Sequence, residues 1–104
     1  MTTYAGVLEA LGDGTRRAVL ELLRDGPRPV GAIADSLPVS RPAVSQHLRV
    51  LQDAGLVRHE QQGTRRMYEI DPAGLTELRT WVEGFWDDKL ARFKQHAETT
   101  RRHR

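Results

Sequence analysis

Four polar side chains lie on one face of a predicted helix, where they could contact nucleic acid bases. They are Arg41, Ser45, Gln46 and Arg49. An arginine can form two hydrogen bonds with guanine, a glutamine can do the same with adenine, and a serine hydroxyl can bond to a base or a phosphate. No member of this set is negatively charged. The residue types therefore favour contact with DNA, and the alternative is an ordinary solvated helix face.

Two runs of apolar residues at helical spacing form the predicted scaffold for these side chains. The runs are Val30, Ile33, Ala34 and Leu37, followed by Val44, Leu48, Leu51 and Ala54. Pro38 ends the first helix, Ser40 is a suitable N-cap for the second, and Gly55 ends the second. Helices joined by such a short turn form a helix-turn-helix motif, whose second helix can lie in the major groove of DNA.

A β-hairpin is predicted directly after the second helix. Residues 56–61 and 65–70 alternate between two faces, around a polar turn at residues 62–64. A hairpin beside a helix-turn-helix is a wing, and its side chains can reach phosphates or an adjacent minor groove. Thr64, Arg65 and Arg66 are therefore the predicted DNA contacts of the wing. The alternative for the two arginines is that their charge protects an edge strand from pairing.

Two helices are predicted before the helix-turn-helix, over residues 4–11 and from about Thr15 to Leu23. Arg16 and Arg17 lie in the first turn of the second helix, where the helix dipole disfavours positive charge. Their position indicates a nearby acid or a phosphate, or else a tolerated pair of surface charges.

The last predicted helix begins at Asp71 and Pro72 and has a wide apolar stripe. The stripe comprises Leu75, Leu78, Trp81, Val82, Phe85, Trp86, Leu90 and Phe93. A small domain cannot cover so much apolar surface, and aromatic residues are favoured interface anchors. We therefore predict a homodimer through the first and last helices, which would place two recognition helices about 34 Å apart. The alternative is that the last helix only folds back over its own core. The predicted interface residues are Tyr4, Leu8, Leu78, Trp81, Val82, Phe85, Trp86 and Leu90.

The fold class that these elements predict is mainly α with a small β-hairpin. The order is α-α-α-α-β-β-α, a winged helix-turn-helix in one domain over residues 1–97 with a basic, flexible tail over residues 98–104. The net charge of +2 is modest, and the pI of 9.5 permits nucleic acid binding. The absence of cysteine excludes disulfides and thiolate metal sites.

No sequence pattern indicates a membrane span, a signal peptide or an enzyme. A run of 18 apolar residues is lacking, and so are the common nucleophile, phosphate-loop and zinc-protease motifs. We therefore expect a cytoplasmic, non-enzymatic protein that needs no cofactor. Its expected partners are double-stranded DNA and a second copy of the chain.

Three segments together resemble the ArsR family of winged helix-turn-helix repressors. They are ALGDGTRRAVLELL, then SRPAVSQHLRVLQDAGLVRHEQQGTRRMYEID, then the tryptophan-rich helix, and the resemblance covers about residues 5–95. It implies a homodimeric bacterial repressor that binds an imperfect inverted repeat. By position, the family's DNA-contacting helix corresponds to Ser40, Arg41, Ser45, Gln46 and His47, and its wing to Arg65 and Arg66. His47 could equally be a packing residue.

The chain departs from the metal-sensing members of the ArsR family. Those members carry cysteines in the first helix of the motif, where this chain reads VGAIADSL. A second family site uses Asp and His ligands on the last helix. Here the candidates are Asp87, Asp88, His96, Glu98 and His103, without the usual spacing. We therefore predict no metal site, and the resemblance leaves any effector unidentified.

Two other functions remain open at this stage. The aromatic helix could bind a different protein, which would make the chain a winged-helix protein-interaction module. Alternatively, the chain could be a repressor that responds to a small molecule held at the dimer interface. The first alternative can be distinguished from DNA binding by replacing Arg41, Arg65 and Arg66. These replacements would abolish a DNA-binding function and leave a protein-binding function intact.

Overall fold

The computed structural model describes residues 2–102, with side chains described through residue 98. The elements in chain order are α1 (Tyr4–Ala10), α2 (Gly14–Leu22), a 3-10 turn (Leu23–Asp25), β1 (Arg28–Pro29), α3 (Val30–Asp35), α4 (Arg41–Asp53), β2 (Val57–Gln62), β3 (Arg65–Ile70) and α5 (Pro72–Arg102). The predicted order of helices and hairpin strands is confirmed. The short strand β1 is an addition to it.

The predicted helix boundaries follow from local capping groups. The Asp13 side chain accepts a hydrogen bond from Arg16 N at 3.0 Å and caps α2. Ser40 Oγ accepts from Ala43 N at 3.3 Å and caps α4. Gly55, with φ of +76°, follows the end of α4, in the left-handed conformation that glycine adopts without strain.

The two arginines at the start of α2 have a structural role that the sequence did not reveal. Arg16 Nε donates to Ala10 O at 2.6 Å, and an Arg17 guanidinium nitrogen donates to Leu11 O at 2.7 Å. These carbonyls lie at the end of α1, where helix carbonyls lack partners within the helix and the dipole favours positive charge. The pair therefore stabilises the C-terminus of α1, and neither an acid nor a phosphate is required.

The sheet has three strands in the order β1-β3-β2, and both pairs are antiparallel. The hairpin turns at Gly63, whose φ is +61°. Arg28 and Pro29 of β1 pair with Tyr68 and Met67 of β3. A two-residue strand is too short for an alternating pattern, and proline is expected only at a sheet edge, so the sequence gave no signal for β1.

The core lies where α1, α2, α3 and α4 meet the base of the hairpin. Its largest fully buried side chains are Ile33, Leu48, Leu51, Leu56, Val7, Val19, Val44 and Val57. Three of these, Val44, Leu48 and Leu51, form the buried face of α4. The opposite face of α4 is therefore held towards solvent by the packing of its own apolar stripe.

The helix α5 is 31 residues long and is attached to the domain mainly through its first turns. Gly74 N donates to Gly55 O at 2.7 Å, and Asp71 N donates to Leu56 O at 2.9 Å. A Cβ on Gly74 would lie 2.8 Å from Gly55 O, so only glycine permits this approach. The rest of α5 extends away from the core and gives the chain a long axis of 71 Å.

The helix continues through the position where a flexible tail was predicted to begin. No change of secondary structure occurs at residue 97, because α5 runs to Arg102. Residues 103 and 104 lie outside the described residues. The division into a domain of residues 1–97 and a tail of residues 98–104 therefore stays a prediction.

Acid should destabilise the domain partly through Asp13. The hydrogen bond from Arg16 N holds the pKa of this carboxyl below its ordinary value of 3.8. A pKa that is lower in the folded state stabilises the fold above the unfolded-state value, and this stabilisation is lost as the pH falls through the folded-state value. Asparagine caps helices about as well but does not titrate. The melting temperature of Asp13→Asn should therefore fall less than that of the wild type between about pH 5 and about pH 2. An equal decrease in melting temperature for the two proteins would contradict this role of Asp13.

Candidate DNA-binding surface

The N-terminal end of α4 presents an arginine that a neighbouring helix holds in place. Arg41 is the first residue of α4 and is exposed. Its guanidinium lies against Gly31 of α3, where an added Cβ would be 3.1 Å from the terminal nitrogen. The absence of a side chain at Gly31 thus makes room for the guanidinium. Residues at the start of a recognition helix are the ones that contact base edges.

The hairpin register separates the two wing arginines. Directly paired residues of antiparallel strands share a face. Arg66 pairs with Gln61 and lies on the face that also carries Tyr68 and Val57, both buried. Arg65 pairs with Gln62 and lies on the opposite face. Arg66 is therefore on the side of the hairpin that meets α4.

The structure brings Arg41 and the wing residues to one cleft. This cleft of about 290 Å³ lies between the start of α3, the start of α4 and the tip of the wing. Its lining residues are Pro29, Val30, Gly31, Arg41, Thr64, Arg65 and Arg66. Arg41 and the three predicted wing contacts thus form one surface, which we call the arginine cleft. Its guanidinium groups match the negative charge of a DNA backbone.

The later turns of α4 face the wing across a second cleft. Ser45 and Arg49 of α4 line it together with Arg66 of β3, and the cleft is about 340 Å³. Its other lining residues are Gln52, Asp53, His59 and Tyr68. We call it the helix–wing cleft. His59 falls within the predicted strand over residues 56–61, but the sequence did not indicate that it lies beside the recognition helix.

Three of the predicted recognition residues lie outside both clefts, and one of them, Ser40, is the exposed N-cap of α4. Gln46 is exposed on α4, where it is accessible to a ligand. His47 is half-buried on α4, which packs against α2. The position of His47 beside α2 is compatible with the packing role that the sequence left open.

Known proteins share this arrangement of helices and wing. The family described as a helix-turn-helix domain matches residues 11–60. The transcriptional regulator Rv2034 of Mycobacterium tuberculosis is 52% identical over 91% of this chain and 92% of its own length. A solution structure from Mycobacterium bovis is described as the homodimeric winged helix-turn-helix DNA-binding domain of a possible ArsR-family regulator. It is 36% identical to this chain, with a TM-score of 0.63, and the match covers 85% of this chain and 82% of that one.

This chain belongs to the ArsR family of winged helix-turn-helix transcriptional regulators. The transcriptional repressor SdpR of Bacillus subtilis is a further relative, 32% identical over 76% of this chain and 88% of its own length. Membership confirms the resemblance and identifies the protein as a DNA-binding transcriptional regulator. The arginine cleft and the helix–wing cleft are the candidate DNA-binding surfaces of this ArsR-family regulator.

The ArsR-family regulator also carries an apolar surface along α1 and α5. Tyr4 of α1 stacks on Trp81 of α5, with ring centroids 5.3 Å apart, and Phe85 meets the edge of Trp81 at 5.0 Å. Trp81 and Leu78 are half-buried within the chain itself. The alternative that α5 folds back over its own core therefore describes this part of the helix.

The other predicted interface residues remain open to solvent in one chain. Phe85 is 60% exposed, Trp86 59% and Leu90 60%. Tyr4, Leu8 and Val82 are exposed as well, and so is Phe93, which was not among the predicted interface residues. Large exposed apolar patches are unusual on a monomer and mark interaction sites. We call the set Tyr4, Leu8, Val82, Phe85, Trp86, Leu90 and Phe93 the aromatic face.

The candidate metal ligands that lie within the described residues form no metal-binding group. Among the described residues, no group of three His, Asp or Glu side chains is close enough to hold a metal ion. His103 lies outside the described residues. Within the described residues, no helix is both long and apolar enough to cross a membrane.

Proposed function

We propose that this chain is a homodimeric transcriptional repressor that binds an inverted-repeat operator. The observation that carries the proposal is the arginine cleft, in which Arg41 of α4 and Arg65 and Arg66 of the wing line one surface. A recognition helix and a wing that converge in this way can contact base edges and backbone of the same DNA segment.

The proposed division of labour follows from the position of each side chain. Arg41 and Ser45 lie on the N-terminal half of α4 and would read base edges in the major groove. Gln46 would extend that contact, Arg49 further along the helix would meet the flanking backbone, and Ser40 would bond to a phosphate while it caps the helix. Thr64, Arg65 and Arg66 would bind the backbone or an adjacent minor groove.

The aromatic face supports the homodimer. Burying several aromatic side chains against a second copy removes them from water, and aromatic anchors supply much of the free energy of an interface. The related Mycobacterium bovis domain is described as homodimeric. A two-fold dimer presents two recognition helices and hence recognises two half-sites one helical turn apart.

Repression, rather than activation, is supported by the related repressor of Bacillus subtilis. A dimer on a promoter blocks polymerase by occupying its site, and this requires no catalytic group. We therefore infer a non-enzymatic regulator that acts in the bacterial cytoplasm.

Fluorescence anisotropy tests this proposal with DNA taken from upstream of the protein's own gene. The wild type should bind this fragment more tightly than a scrambled fragment of equal length, with two chains per site, and added salt should weaken binding. Arg65→Ala/Arg66→Ala should lose affinity, whereas Arg24→Ala should retain it, because Arg24 is paired with Glu21 and lies outside both clefts. Equal, weak binding to both fragments would favour the protein-interaction alternative.

A further inference from the structure

The helix–wing cleft contains more hydrogen-bond donors than base reading by α4 requires. Arg49 of α4 and Arg66 of β3 reach it from opposite sides, and Ser45 adds a hydroxyl. The carboxylate in its lining is Asp53. Two guanidinium groups, a hydroxyl and the imidazole of His59 form a set suited to an anion with several oxygen atoms.

Two contacts hold the imidazole of His59. Its Nδ1 lies 3.1 Å from Gln52 Oε1, and its ring meets the Tyr68 ring at a centroid distance of 5.4 Å. A carbonyl oxygen can only accept a hydrogen bond, so Nδ1 carries a proton in this arrangement. The second nitrogen, Nε2, is then the one whose protonation can change.

We propose that the helix–wing cleft binds one phosphate of the DNA backbone and that His59 contacts this phosphate in its protonated form. The inference rests on the proposed function, since it requires DNA on this face of the domain. When the N-terminal end of a recognition helix contacts bases, its later turns approach the flanking backbone. Arg49, Gln52 and the wing then face that backbone together.

The protonation state of His59 determines whether its Nε2 can donate a hydrogen bond to a phosphate. With its proton on Nδ1, the neutral ring presents a lone pair at Nε2, which repels a phosphate oxygen. The imidazolium instead donates from Nε2 and adds a positive charge. DNA binding therefore takes up a proton, and affinity falls as the pH rises through the range in which histidine side chains lose their charge.

The neighbouring charges set the direction of this linkage. Arg49 and Arg66 oppose a third positive charge in the cleft, and Asp53 favours it. The Tyr68 hydroxyl is the other titratable group of the lining. A bound phosphate offsets the two guanidinium charges, so protonation of His59 is more favourable in the complex than in the free protein.

Three versions of the protein test the inference by anisotropy on the native upstream fragment at constant ionic strength. From about pH 6 to about pH 8, wild-type affinity should fall several-fold, up to about tenfold. His59→Gln should show a flat profile at the lower affinity, because glutamine cannot acquire the charge. His59→Arg should show a flat profile at the higher affinity, because its charge is permanent. At about pH 6, the salt slope of His59→Gln should be smaller than that of the wild type by about 0.9.

Glu60→Gln is the matched control. Glu60 is adjacent in the chain but pairs with Met67 on the opposite face of the hairpin, so its variant should keep the wild-type pH profile. The inference is overturned if His59→Gln or His59→Arg retains the pH dependence of the wild type. Melting curves identify any variant that does not fold. If His59→Gln does not fold, the pH profile of His59→Arg decides the test. If the wild type binds no DNA at any pH, the proposed function is overturned as well. Failure of the His59 inference alone is thus distinguishable from failure of the proposed function.

Discussion

Trp86→Ala should raise the dissociation constant of the homodimer by about thirtyfold or more. Loss of a central aromatic anchor costs about 2 kcal/mol or more at many interfaces, and each dimer loses two such side chains. Trp86 is 59% exposed in the single chain, so its truncation removes little packing within the chain itself. The substitution should therefore change the dissociation constant of the homodimer strongly and the free energy of unfolding of the single chain only weakly.

Sedimentation velocity at low micromolar concentration measures this change. Thr80→Ala is the matched control, because Thr80 is an exposed residue of α5 that lies on the opposite side of the helix from the aromatic face. The control should sediment as the wild type does, whereas Trp86→Ala should shift towards the monomer. Operator affinity should fall with it, since a monomer contacts a single half-site. An unchanged sedimentation profile for Trp86→Ala would count against the aromatic face as the interface.

Arg41→Ala and Arg65→Ala should impair DNA binding in different ways. Loss of a base-reading arginine costs about 1–3 kcal/mol at the cognate site and relaxes specificity at one position. Arg41→Ala should therefore weaken operator binding more than random binding. Arg65→Ala should weaken both to a similar extent and reduce the salt slope by about 0.9, because a phosphate contact carries no sequence information.

Paired titrations of operator and scrambled DNA over a salt series distinguish these two effects. Arg24→Ala serves as the charge-matched control, and its curves should coincide with those of the wild type. Equal losses on both DNAs from Arg41→Ala would refute base reading by that residue. Unchanged binding by Arg65→Ala would favour the alternative that its charge only protects the strand edge.

The sequence was sufficient to predict those elements whose structure is determined by local chemistry. Asp13 and Ser40 are capping residues whose side chains need only the backbone a few residues on. Gly63 lies in a left-handed turn that few other residues adopt. For this reason the helices, the hairpin and the division of α4 into a buried and an exposed face could be predicted from the sequence.

Features that depend on contacts between distant segments were not predictable. The hydrogen bonds of Arg16 and Arg17 require the angle between α1 and α2, which the intervening Gly12 does not specify. Strand β1 exists only because Arg28 and Pro29 meet β3. His59 was placed on the correct strand, but its proximity to Gln52 and Arg49 depends on how the wing leans against α4.

Hydroxyl-radical footprinting of the upstream fragment tests most directly whether two recognition helices engage one operator. A dimer joined through the aromatic face should protect two patches, related by two-fold symmetry and centred about 10 base pairs apart or a multiple of that spacing. Arg65→Ala should weaken protection in both patches to the same extent. A single protected patch, or protection without symmetry, would contradict the homodimeric operator complex.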